Sequence, residues 1–364
     1  MTDKNSPSLF RPYFDKEMTD FLKGFAVIMM FCHHILTYQG WYIDGIFFPE
    51  MEPFCTFMAF PTKICVGLFA FMNGYFYAFN TKPRVKFAAT RILSLYTVYW
   101  MVYVMLVIPA VKFSGYRPGL TDIIRDILAM PNDVVIFGWY VFFFATIMIL
   151  LPLIKPLLDK NIGIAAGISF VIVTVLYSVN ATFPNPVTDE IIYYYGWWLP
   201  VALAGYIVAR YRIFEKAGEI LGKIGSAPVR FALALCILIL SFFARVFFQH
   251  FTFDTGIAGI KICIFVCVDV VLIPAFVFAL VTLRNIVTVP VADRVFRECG
   301  KYSMYMWLLH SAFFGISKDI FQKVMFLPYF PVLAFLWALV ICYFLGRVLA
   351  IPAGLVNDKI KKMV

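Results

Sequence analysis

Two adjacent histidines, His33 and His34, lie inside an apolar stretch that opens at a lysine: Lys23-Gly24-Phe25-Ala26-Val27-Ile28-Met29-Met30-Phe31-Cys32-His33-His34. The whole chain carries 4 histidines. An ionisable side chain at membrane depth is costly to keep and marks a functional site. On a helix, eleven residues bring Lys23 and His34 within about 20° of each other, three turns and ~16 Å apart along the axis. His33 points about 80–100° away. This geometry favours His34 over His33 as the working residue. The plainer alternative is that both histidines bond to neighbouring helices and only hold packing.

A second stripe repeats the pattern. Ser303, Trp307 and His310 follow at i, i+4 and i+7, so they share one helix face, with His310 about 10 Å beyond Ser303 and at a depth similar to His34. Arg91 opens another apolar segment with Ser94 one turn on, beside the basic residues Lys82, Arg84 and Lys86. A guanidinium in that place suits bidentate phosphate binding, whereas the neighbouring cluster reads as an orientation signal. Lys23, Arg91, Ser94, His310 and Ser303 are therefore the candidate substrate-binding residues. Asp20, one turn before Lys23, can pair with it. Arg245 and Asp269 stand inside apolar segments and are expected to pair with one another as a structural bridge. The acids Glu50 and Glu52 read as solvated loop residues. No phosphate-cradling glycine loop, HExxH or paired CxxC occurs, and no metal site is expected.

The elements that position these groups follow from composition. The 364 residues are 62% hydrophobic and 14% charged, with a mean hydropathy of +0.86. Soluble domains are about 45–50% apolar and about 25% charged. The chain therefore reads as all-α and polytopic in the bilayer, with 1–364 as one integral-membrane domain. Ten segments have the length and apolarity of a span: 22–40, 61–79, 91–111, 134–155, 162–180, 192–210, 230–249, 261–282, 303–318 and 329–352. With both termini placed in the cytoplasm, the inner loops collect 23 of the 31 lysines and arginines. The net charge of +10 thus reflects basic cytoplasmic loops rather than nucleic-acid binding. The 8 cysteines lie mostly in apolar runs and read as reduced. No cleavage site follows the first apolar segment, so it is expected to stay as a span.

Taken together the segments resemble the acyltransferase family 3 membrane proteins, above all the stand-alone bacterial members that O-acetylate exopolysaccharide or capsule. The stretch Asp20-Phe21-Leu22-Lys23-Gly24-Phe25-Ala26, ending in His33-His34, is similar to the first-helix motif, in which a basic residue precedes the key histidine by eleven positions. Val66 to Tyr75 with its Asn73-Gly74, Arg91-Ile92-Leu93-Ser94-Leu95-Tyr96, Trp139-Tyr140-Val141-Phe142 and Leu203-Ala204-Gly205-Tyr206 resemble later motifs. Gly300-Lys301-Tyr302-Ser303-Met304-Tyr305-Met306-Trp307-Leu308-Leu309-His310 resembles the ninth-helix signature. Three positions depart: Lys23 stands where arginine is frequent, Asn73 where serine is common, and Ser94 where many members have a second arginine.

The resemblance implies a membrane O-acyltransferase that takes acetyl-CoA, or another acyl-CoA, at the cytoplasmic face as co-substrate. It implies transfer to a hydroxyl of a lipid-linked or exported glycan. His34 would be the base, with Lys23 and Arg91 at the CoA phosphates. Asp20, His33, Asn73, Arg245 and Asp269 are expected on the acceptor side or in structural roles. The expected location is the inner membrane of a bacterium, with the lipid bilayer as surroundings, and a homo-oligomer is compatible with the sequence. The other function class is a transporter moving a small polar solute past His34, Arg245 and Asp269.

Overall fold

The computed structural model describes residues 13–37, 52–80, 84–182, 186–254, 258–328 and 330–363. These form an all-helical bundle with no strand among the described residues. The elements are α1 (Lys16–Thr37), α2 (Glu52–Thr62), α3 (Ile64–Ala78), α4 (Arg84–Phe113), α5 (Leu120–Ile127), α6 (Trp139–Leu158), α7 (Ile162–Thr182), α8 (Pro186–Arg210), α9 (Ile213–Ile224), α10 (Ala227–Asp254), α11 (Ala258–Ile286), α12 (Pro290–Lys301), α13 (Ser303–Leu309), α14 (Lys318–Met325) and α15 (Pro331–Met363). Six helices among the described residues are long and apolar enough to cross a bilayer: α1, α4, α6, α10, α11 and α15. Ile64–Ala78 and Ile162–Ile172 are shorter apolar helical stretches. The chain is thus an all-α polytopic membrane protein.

Two expected spans are not continuous helices. The segment 61–79 divides at Lys63 into α2 and α3. The segment 303–318 gives the 7 residues of α13 and then a 3-10 turn, His310–Phe313. Irregular backbone at this depth is tolerated only when protein surrounds it. Here Met306 to Phe314 are all buried. The connection after α5 is irregular as well, and it runs back into the bundle beside α4. The hydroxyls of Tyr96 and Tyr99 donate to the carbonyls of Leu128 and Asp126, at 2.7 and 2.5 Å. The two irregular segments are stitched together. Trp307 Nε1 donates to the Phe137 carbonyl at 3.0 Å, the Phe137 N–H donates to Ser311 Oγ at 3.3 Å, and the Ile316 N–H donates to the Asp133 carbonyl at 2.8 Å.

Glycines set the closest crossings. A Cβ on Gly74 of α3 would overlap the carbonyl of Ala202 on α8, and one on Gly205 of α8 would overlap the carbonyl of Phe71. Gly24 of α1 and Gly300 of α12 meet the carbonyls of Phe296 and Asp20 in the same way. The first turn of α1 and Tyr343 in the middle part of α15 both approach α12, through Arg297–Glu17 at 3.7 Å and Tyr343–Glu298 at 3.5 Å. Both therefore lie at one end of the bundle, called the inner end below.

α12 is a short amphipathic connector at that end. Its Asp293 accepts Arg284 Nε at 2.5 Å and Arg297 Nε at 2.7 Å, and these hydrogen bonds hold the carboxyl below the usual carboxylate range. Deep in the bundle, Arg245 grips Asp269 with Nε and Nη2 at 2.9 and 2.8 Å, while Trp197 Nε1 donates to the same carboxylate at 3.0 Å. The expected pairing is therefore present. Both side chains are almost fully buried, so each charge is tolerable only because the other is there.

Candidate active site

α1 presents His34 near its outer end, and the 3-10 turn after α13 presents His310 against it. Nδ1 of His34 and Nε2 of His310 are 2.9 Å apart, so the two expected stripes do meet. Nδ1 of His310 in turn contacts the carbonyl of Trp307. A carbonyl only accepts, so that Nδ1 carries the proton and His310 Nε2 is the lone pair. Nδ1–H of His34 must then be the donor of the 2.9 Å bond, which makes His34 Nε2 the basic nitrogen. Phe137 fixes both rings. It stacks on His310 with centroids 4.3 Å apart at 2°, and on His34 at 4.0 Å and 22°. His310 is wholly buried, whereas His34 and His33 both line a cavity.

That outer cavity measures about 450 Å³. Its walls mix acids and aromatics: Asp122, Asp126 and Asp133, with Tyr116, Trp139, Tyr194, Trp198 and Trp307, and with Lys63 and Arg125 as cations. Trp139 and Tyr194 form a stacked wall, with centroids 3.9 Å apart at 12°. Asn132 shapes the rim by accepting the N–H groups of Val134 and Val135 at 3.2 and 2.8 Å. Asp126 is fully buried, and its Oδ2 accepts the hydroxyls of Tyr103 and Tyr116, both at 2.9 Å. Burial pushes this carboxyl up, against the downward pull of those two donors.

A second cavity of about 960 Å³ opens at the inner end. Lys16, Lys23, Arg91 and Arg284 give it four cations, against Asp15 and Asp20. Phe14, Phe76, Phe79 and Phe87 add flat apolar surface, and Phe69, Met72, Asn73, Phe144 and Met148 also line it. Arg91 leans over the Phe87 ring at 5.5 Å.

Among the described residues, none lines both cavities. Between them stand three rings. Trp307 faces the outer cavity and Phe69 the inner one, with centroids 5.1 Å apart edge to face. Tyr140 packs on Trp307 at 4.8 Å and on Phe69 at 6.2 Å. Asn73 Nδ2 donates to the Tyr140 hydroxyl at 2.7 Å and holds that ring in place. Lys23 and His34 stand on one continuous helix, α1, but they line different chambers.

The remaining expected residues divide plainly. Asp20 and Asn73 line the inner cavity, and His33 the outer. Ser94, Ser303, His310, Arg245 and Asp269 line neither. Glu50 and Lys82 lie outside the described residues, as does the Glu52 side chain. Residues that sequence reading did not single out are Arg284, Lys63, Tyr140, Phe137 and Asp126. Tyr140 lies in a stretch that already resembles a family motif, whereas the others gave no local signal, because remote segments bring them together.

Comparison with curated proteins and with solved structures gives no match to the chain. The family described as acyltransferase domain, acyltransferase family 3, matches residues 19–347, a stretch that contains Lys23, His34, Arg91 and His310. With nine-tenths of its length inside that match, this chain belongs to the acyltransferase family 3 membrane proteins.

Proposed function

We propose that this membrane acyltransferase moves an acetyl group from acetyl-CoA, taken up in the inner cavity, to a hydroxyl of a cell-envelope glycan held in the outer cavity. The observation that carries the reading is the relay from the Trp307 carbonyl through His310 to His34, which directs the basic nitrogen of a cavity-lining imidazole. His34 Nε2 takes the proton of the acceptor hydroxyl while that oxygen attacks the thioester carbonyl. The new C–O bond forms, the C–S bond breaks, and the departing thiolate recovers the proton from the imidazolium. His310 keeps the acceptor lone pair toward Nδ1–H throughout, so the charged ring stays oriented. General-base help of this kind contributes about 10²–10⁴-fold.

Lys23, Arg91, Lys16 and Arg284 suit the phosphates of CoA, and the phenylalanines beside them suit its adenine. Arg284 offers a cation that Ser94 does not. Stacked aromatics beside carboxylates suit a sugar ring with its hydroxyls. The basic bias toward the inner end supports a cytoplasmic donor side, and with it an inner-membrane location in a bacterium. Arg245 and Asp269 neutralise each other and line neither cavity, which weighs against a solute path past them.

The test is thermal stabilisation of the purified protein by CoA. A ligand that binds only the folded state at a hundred times its Kd adds about 2.7 kcal/mol. The expected upward shift should be lost in a Lys23→Ala/Arg91→Ala protein. No shift in the wild type would reject a CoA site.

A further inference from the structure

The donor and the base occupy separate chambers, and what divides them is a specific cluster. Phe69 is 9%, Tyr140 2% and Trp307 3% exposed, so the three rings close the bundle between the cavities. An acyl group entering from the inner end meets Phe69 and Asn73 before it can reach His34. We infer that this aromatic partition is the acyl-length selector of the donor path and that Asn73 is its latch. The inference rests on the reading of the inner cavity as the acyl-CoA site.

The physical case has two parts. First, protein interiors are close-packed, so a longer acyl chain must displace ring atoms before its carbonyl comes level with the base. A short acyl needs only a swing of the Tyr140 ring. Second, that swing has a ready exchange of hydrogen bonds. The Asn73 N–H that holds the Tyr140 oxygen also belongs to a half-buried residue facing the inner cavity. A thioester carbonyl arriving beside it accepts that N–H in place of the tyrosine. The Asn73 donor keeps a partner throughout, and the partition opens when the thioester is present.

The experiment compares acetyl-, butyryl- and hexanoyl-CoA. Turnover is read as release of free CoA in membrane vesicles of producing cells, which carry the natural acceptor. Affinity is read by thermal stabilisation of the purified protein. In the wild type, kcat/KM should fall steeply from acetyl to hexanoyl. Trimming Phe69→Leu or Phe69→Ala opens room ahead of the thioester, and each methylene buried there favours the longer donor by about fourfold. The hexanoyl-to-acetyl ratio should therefore rise at least tenfold in these variants, in turnover and in binding. Phe69→Leu keeps most of the packing and guards against a misfolded alanine protein. Tyr140→Phe, which frees the latch, should raise the ratio in the same direction by a smaller factor. A wild type that handles hexanoyl-CoA as well as acetyl-CoA overturns the selector, as does an unchanged ratio in both Phe69 variants. If CoA itself gives no stabilisation, the donor site is refuted first and the selector falls with it.

Discussion

His34 Nδ1 and His310 Nε2 stand 2.9 Å apart, with the second nitrogen of His310 on the carbonyl of Trp307. A carbonyl at one end of the chain thus fixes which nitrogen of His34 is basic at the other. Aspartate–histidine pairs achieve this elsewhere with a buried negative charge. Here a neutral imidazole does it, so no unpaired charge enters the membrane interior.

Replacing His310 should therefore damage turnover more than binding. His310→Ala removes the acceptor for His34 Nδ1–H and should lower kcat by about 10²-fold or more, with little change in the KM for acetyl-CoA. His310→Gln keeps an oxygen that can accept from His34 and should recover part of the loss. Steady-state kinetics in reconstituted membranes separates the two effects.

The inner cavity predicts the opposite pattern. Lys23→Ala, Arg91→Ala and Arg284→Gln should each raise the KM for acetyl-CoA about 10-fold, as loss of one charge-assisted hydrogen bond to a phosphate. An acetyl-pantetheine donor, which lacks the nucleotide phosphates, should be far less sensitive. Measuring both donors with each variant checks the assignment.

The family-like glycines are packing devices. Gly74→Ala and Gly205→Ala put a methyl group into a carbonyl of the facing helix, and neither side of the α3–α8 crossing can yield without moving backbone. Such overpacking costs about 1–3 kcal/mol. A lower Tm for each variant in detergent, with the apolar surface content unchanged, is the expected result.

Asp293 gives a pH dependence with a defined sign. Arg284 and Arg297 hold its carboxyl below the value of about 3.9 expected in an unfolded chain. The folded state therefore binds fewer protons, and the stabilisation is present above that value. It is lost as pH falls through the lower folded value. Asp293→Asn should lower Tm at pH 7, and the difference from wild type should begin to shrink below about pH 4 and be lost as pH falls through the lower folded value. Thermal melts across that range measure it.

Much of this was legible in the chain because a helix has a fixed period. The eleven-residue step from Lys23 to His34 put both on one stripe, and the step from Trp307 to His310 marked the ring that meets His34. The mutual pairing of Arg245 and Asp269 followed from the expense of a lone charge in lipid. Ser303 shows the limit of such reasoning. It opens α13 seven residues before His310 and lines neither cavity, because helical period alone does not say which chamber a helix face borders. The partition was equally hidden. Phe69, Tyr140 and Trp307 sit on α3, α6 and α13, and ordinary apolar spacing in each helix says nothing of a shared boundary.

The central claim is that His34 is the base of an acyl transfer, and loss of that one nitrogen tests it most directly. The measurement is the rate of labelled acetyl transfer from acetyl-CoA to glycan in inverted membrane vesicles, for wild type, His34→Ala and His34→Gln. Both variants are first shown to insert and to be stabilised by CoA. The account predicts a fall of about 10²-fold or more in both, since the glutamine amide can hold His310 but cannot take a proton. Transfer at the wild-type rate by either protein would contradict it.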